Sequence, residues 1–226
     1  MFIELSYKLH EDIPTYPGLP REKFEPHTRM ANGDQANTTL ITHFLHNGTH
    51  VDAPFHFYDA GATIDQIPIE DFVFERPLVI KKLLKKSELI QLEDLTSCGE
   101  ELHGADILLL YTGYCDIRDD GKVYADDFPA VSEEAARYIR TELLNIKAVA
   151  IDTLSIESAT LGPQNDFRVH KTFLDGDLFK TRPLLLYEDV NVGRIANEKV
   201  KRVYAFPLRL KGLDASPVTI VAETVQ

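Results

Sequence analysis

The apolar residues of this chain come in short blocks. Ile107-Leu108-Leu109-Leu110-Tyr111 is among the longest uninterrupted ones, a length that suits a buried strand and falls far short of the roughly 20 residues a membrane-spanning helix needs. Strands are expected at Phe2 to Leu9, Thr38 to Leu45, Pro77 to Leu83, Asp106 to Tyr111, Ala148 to Asp152, Pro183 to Tyr187, Val200 to Leu208 and Pro217 to Thr224, several of them rich in Val, Ile, Leu or Tyr. The strongest helix signal follows Ser132. That residue suits an N-cap, Glu133 and Glu134 suit the positive end of the helix dipole, and Ala135, Tyr138, Ile139, Glu142 and Leu143 form a stripe. A second, short helix is expected over Asp166 to Leu174, stopped by Asp175-Gly176-Asp177. Many strands and few helices predict an α+β domain built on a mixed sheet. No repeat, low-complexity tract or Gly/Ser linker divides the 226 residues, so one domain over 1–226 is expected.

Composition narrows the partners. With 24 Lys and Arg against 36 Asp and Glu the net charge is −12, which argues against a nucleic-acid partner. The opening MFIELSYKLHEDIP has no basic segment followed by an apolar core, so no secretory signal is expected, and no membrane partner either. Cys98 and Cys115 form neither a C-x-x-C pair nor a zinc-ribbon spacing. They read as structural thiols in a reducing compartment, and the expected location is the cytoplasm.

Four of the eight histidines fall between His43 and His56, where even scattering would place fewer than one. In an extended stretch residues two apart face the same way, so His50 and Asp52 can aim at one point, and Gly48 permits a turn that brings His46 alongside. Two imidazoles and a carboxylate are the ligand set of a catalytic zinc site, or of a facial triad that also suits Mn or Fe(II), with positions left open. A histidine in a strand is more often a plain hydrogen-bonding residue, but several beside one Asp on one side point to a metal. His56 shares their parity and is either a fourth ligand or a nearby general base. The second is preferred, because three ligands leave the metal open and hydrolysis still needs a group that moves protons near neutral pH. His43 has the opposite parity from His46 and reads as structural.

The run His46-x-Gly48-Thr49-His50-x-Asp52-x-Pro54-x-His56 resembles the signature of the cyclase family of metal-dependent hydrolases, which includes bacterial kynurenine formamidases and isatin hydrolases. Pro14-Thr15-Tyr16-Pro17-Gly18, Ile64 to Pro68, Ile151 to Ile156, Pro207-Leu208-Arg209 and Gly212 to Pro217 resemble further family segments, so the likeness runs along nearly the whole chain. It implies a barrel-like mixed sheet with peripheral helices, a swivelling β/β/α fold, assembled as a homodimer or homotetramer. It implies one or two divalent ions per subunit, Zn or Mn: a first held by His46, His50 and Asp52, and a second shared through Asp52 with His170 and Glu188, while His56 is the catalytic acid/base. The interval from His170 to Glu188 is longer than in the formamidases, with Lys180 to Pro183 among the extra residues. Tyr16 takes the place of a substrate-stacking Trp, and Thr219 stands where many members carry Arg. The implied reaction is cleavage of an amide or N-formyl bond of a small molecule by metal-activated water, most specifically arylformamidase action on N-formyl-L-kynurenine. Ring opening of a cyclic amide such as isatin is the alternative within enzymes, and a binding module without turnover the alternative outside them.

Overall fold

In the computed structural model, which describes residues 1–225, the central element is a nine-stranded mixed sheet. The chain runs through β1 (Phe2–Glu4), β2 (Lys23–Thr28), β3 (Thr38–Thr42), β4 (His50–Asp52), β5 (Val73–Phe74), β6 (Pro77–Lys81) and β7 (Leu89–Ile90). Then come α1 (Leu92–Thr96), α2 (Glu100–Gly104), β8 (Ile107–Tyr111), α3 (Gly121–Tyr124), β9 (Ala130–Val131) and α4 (Glu133–Glu142). The last third holds β10 (Ala148–Ile151), α5 (Leu161–Gln164), α6 (Arg168–Leu174), β11 (Leu185–Glu188), β12 (Val200–Pro207) and β13 (Ala215–Thr224). The sheet order is β5-β12-β13-β4-β11-β10-β8-β6, with β1 on β13. The last strand, β6, returns close to β12, so the sheet is nearly closed and barrel-like.

Strand alternation explains two cores. The parallel strands β8 and β10 are covered on both faces, which is why β8 reads as an unbroken aliphatic run. Leu109, Tyr111, Ala148, Ala150, Leu185 and Tyr187 point into the barrel and pack with Val51. Their neighbours Leu108, Leu110, Val149, Ile151 and Leu186 point outward, against Ala135, Ala136 and Ile139 of α4 and Val169 and Phe173 of α6. The expected cap holds: the Ser132 side chain accepts from the Ala135 amide at 3.2 Å.

The departures have local causes. Only Phe2–Glu4 of the first expected strand is regular, and the expected strand from Pro183 begins two residues later, at Leu185. The helix expected from Asp166 begins at Arg168, because Asp166 and Phe167 both adopt left-handed φ values, +56° and +51°. The strand expected over Thr38 to Leu45 stops at Thr42 and pairs with β2, whose KFEPHT offers no apolar alternation. Among the described residues no helix is long and apolar enough to cross a membrane.

Candidate metal centre

β4 lies between β11 and β13, antiparallel to both. His50 stands opposite Glu188, and Asp52 opposite Leu186 and Ala215. Directly opposed residues share a face, and so do residues two apart, so His50, Asp52 and Glu188 emerge on the side away from the barrel interior. Gly48, at φ +66°, turns the chain so that His46 folds back over them, and a Cβ there would meet Leu9 Cδ2 at 2.6 Å. Beyond Asp52 the chain enters a one-turn helix, Pro54–His56, which presents His56. His170 comes from α6, whose first amides are held by a carboxylate: Glu157 accepts from Val169 N at 3.2 Å and from His170 N at 3.1 Å.

These residues converge on one point. His46 Nδ1 is 2.9 Å and His50 Nε2 3.3 Å from Asp52 Oδ1, and His50 Nε2 is 3.5 Å from Glu188 Oε2. The alignment is not that of hydrogen bonds, and Asp52 Oδ1, Asp52 Oδ2 and His50 Nε2 are all buried with no hydrogen-bond partner. A fully buried carboxylate left in that state is costly, and a cation among the lone pairs removes the cost. The outer atoms are satisfied. His50 Nδ1 donates to Gly48 O at 2.9 Å, His170 Nδ1 to Glu157 Oε2 at 2.7 Å, and His46 Nε2 to Asp214 Oδ2 at 2.8 Å. With the protons so assigned, His50 Nε2, His170 Nε2 and His46 Nδ1 keep their lone pairs for the centre, the arrangement by which proteins orient metal-binding imidazoles.

Two donor sets are present, His46 with Asp52 and His56, and His50 with Asp52 and Glu188, each with its ligand atoms within 4.8 Å of one another. Asp52 belongs to both, and His170 Nε2 joins the second through Glu188 Oε1 at 3.4 Å. All six expected donor or acid/base residues therefore meet, with His46 Nδ1 and His50 Nε2 both within 3.3 Å of Asp52 Oδ1. The electrostatics favour positive charge. Burial opposes a proton on His46, yet the Asp52 carboxylate and the bond to Asp214 lift its pKa to about 9. For His170 burial is likewise outweighed, by Glu157 and Glu188, and the value reaches about 10. Burial works against ionising Glu188, but His170 and His50 hold it at about 2. The donor chemistry, the orphaned atoms and this field all fit a divalent cation.

The centre opens into a cavity of about 230 Å³ walled by Tyr16, Phe44, Phe57 and Phe167. Tyr16 stands edge-on to Phe128 at 6.1 Å. Phe57 stacks on His170 at 4.8 Å. Neither Lys nor Arg lines this cavity, and Thr219 is exposed on β13, outside it. His43 pairs with Glu22, which suits a structural role. Two residues of the site went unassigned in the sequence, Asp214 and Glu157. Asp214 lies within the quoted Gly212 to Pro217 segment, but its contact with His46 depends on β13 lying beside β4. Glu157 is 13 residues from His170, a spacing with no local meaning.

The family described as putative cyclase matches residues 3–158. A kynurenine formamidase of Bacillus cereus is 26% identical over 229 residues, covering 99% of this chain and 98% of its own. Among solved structures, an isatin hydrolase A from Ralstonia solanacearum superposes with a TM-score of 0.83 at 19% identity, covering 100% of this chain and 92% of that one. A predicted metal-dependent hydrolase from Bacillus stearothermophilus gives 0.73 at 24%, covering 98% and 97%. The chain belongs to the cyclase family.

Proposed function

We propose that this chain cleaves the carbon–nitrogen bond of a small planar amide or N-formyl compound, with N-formyl-L-kynurenine, giving L-kynurenine and formate, as the most specific substrate. The observation that carries the reading is the ring of donors around the buried Asp52 carboxylate, which has no hydrogen-bond partner, at the floor of an aromatic cavity. His46, His50, Asp52, His170 and Glu188 would hold one or two divalent ions, Zn or Mn, which when bound would supply the Lewis acidity that acidifies water and polarises a carbonyl. His56 does the proton work. Its side chain is a quarter exposed to the cavity and its Nδ1 lies 3.5 Å from Asp214 Oδ2, which leaves Nε2 to take a proton from the attacking water and return it to the leaving nitrogen. Tyr16, Phe57 and Phe167 offer ring faces and edges that hold a planar acyl group and exclude bulk water.

A second reading rests on one observation. The cavity offers no Lys or Arg to a substrate carboxylate, which favours an uncharged cyclic amide such as isatin, opened by the same residues. The test is to strip the purified protein with chelator, reload it with Zn or Mn in parallel, and assay N-formylkynurenine and isatin. Turnover of the first supports formamidase action, turnover of isatin alone supports the second reading, and neither with a loaded site rejects both.

A further inference from the structure

One residue beyond Glu188 the chain takes a conformation that L residues seldom adopt: Asp189 has φ +52°. Every polar group of Asp189 is held. Its amide donates to Thr153 O at 2.7 Å and its carbonyl accepts from Thr49 Oγ1 at 2.6 Å. Its carboxylate receives Arg118 as a fork, Nε at 2.7 Å and Nη2 at 2.6 Å, with the Tyr124 hydroxyl 2.7 Å from Oδ1. The Arg118 guanidinium lies 3.8 Å over the Tyr7 ring, and the Tyr7 amide donates to Thr49 Oγ1 at 2.9 Å. Arg118, Asp189, Tyr124 and Thr49 are all buried.

We propose that Arg118 is a positioning residue for the metal centre, acting through Asp189 to fix the spacing of His50 and Glu188; the inference rests on the metal reading above. Thr49 immediately precedes His50 and Asp189 immediately follows Glu188, so the Thr49–Asp189 bond ties the two strands just beyond the opposed donor pair. The Thr153 carbonyl that holds the Asp189 amide belongs to the turn whose Ser155 hydroxyl and Ile156 amide hold Glu188 Oε1, at 3.1 and 2.6 Å. Arg118 touches none of the donors. It supplies the two-pronged pairing that keeps Asp189 left-handed, and a planar fork does this where a lysine ammonium cannot. Buried ion pairs are often replaceable without loss of stability, which separates a positioning role from a purely structural one.

The experiment is Co(II) titration of chelator-stripped protein, read by the visible spectrum and by competition with a chelator, beside urea unfolding of the metal-free form. Arg118→Met alone strands a buried carboxylate and is a risk to folding. The double variant Arg118→Met with Asp189→Asn removes both charges and keeps a side chain that tolerates the left-handed region. Expected are Co(II) affinity lowered about 10- to 100-fold, the range typical when a partner behind the ligands is lost, and an altered spectrum. Arg118→Lys should fall between wild type and the double variant. Ile139→Ala, in the core under α4, is the control: it should lower urea stability and leave the cobalt spectrum unchanged. Wild-type affinity and spectrum in the folded double variant, or in Arg118→Lys should the double variant not fold, overturn the proposal. A wild-type protein that binds no Co(II) overturns the metal reading itself and the proposal with it.

Discussion

Removing the metal should cost this protein measurable stability, and removing His50 should abolish most of that dependence. A cation that binds only the folded chain stabilises it by RT ln(1 + [L]/Kd), about 2.7 kcal/mol at a free concentration 100 times Kd. For a domain of this size each kcal/mol moves Tm by roughly 2–4 °C, so Zn or Mn at that excess should raise Tm by about 5–11 °C over the chelated protein. His50 is fully buried, belongs to the donor set that Asp52 and Glu188 complete, and has its Nδ1 proton committed to Gly48. His50→Ala deletes a donor that no neighbouring group replaces. Each tenfold loss of affinity at fixed metal removes about 1.4 kcal/mol of linkage, or roughly 3–6 °C of the shift. The assay is calorimetry of wild type and His50→Ala with chelator and across a metal series. His43→Ala, whose imidazole pairs with Glu22 and not with the centre, is the comparison; it should lower Tm in both conditions and keep the shift. A wild-type Tm indifferent to metal, or a His50→Ala shift equal to that of wild type, refutes the reasoning.

His56→Ala should lose turnover and retain bound metal, measured by atomic emission after gel filtration; metal loss equal to that of His50→Ala would make His56 a ligand. Tyr16→Ala should raise KM for aromatic substrates several-fold while Tyr16→Phe, which keeps the ring, stays near wild type; a wild-type KM in Tyr16→Ala would remove Tyr16 from substrate binding. In the metal-free protein the pKa of His46 is raised to about 9 and that of His170 to about 10, from about 6.5 in the unfolded chain. Their contribution to stability is therefore complete below about pH 6.5 and is lost as pH rises through 9 to 10. The urea midpoint of chelated protein should fall over that window, and a flat profile would contradict it. Ser132→Ala, which removes the cap on α4, should cost about 1 kcal/mol in urea unfolding without changing metal content.

What could be read from the sequence is what local spacing carries. His46, His50, Asp52 and His56 lie within 11 residues, and a turn plus strand parity is enough to bring them together. The runs at β8 and β10 announce themselves because strands covered on both faces need no polar alternation. His170 and Glu188 entered only through family likeness. Asp214, Glu157 and Arg118 did not enter with a role at all, because each meets its partner across the fold: Asp214 and His46 are 168 positions apart, Arg118 and Asp189 71. The β2–β3 hairpin was half missed for the opposite reason, since neither strand has a buried face to leave a pattern.

The missing information is register, and here register belongs to the core. Val51 and Tyr187 oppose each other across β4 and β11, one residue from the donors on either strand, and both are fully buried in the barrel. A slip of one residue would turn Tyr187 out into the metal centre and bury Glu188 among Leu109, Ala150 and Val51, a carboxylate in an apolar interior. The same packing that hides the Tyr187 ring therefore sets Glu188 opposite His50. The candidate metal centre is in this sense a by-product of the hydrophobic pattern: its strand-borne donors His50, Asp52 and Glu188 occupy the alternate positions that the barrel core leaves facing α6, and their spacing is only as good as that core's register.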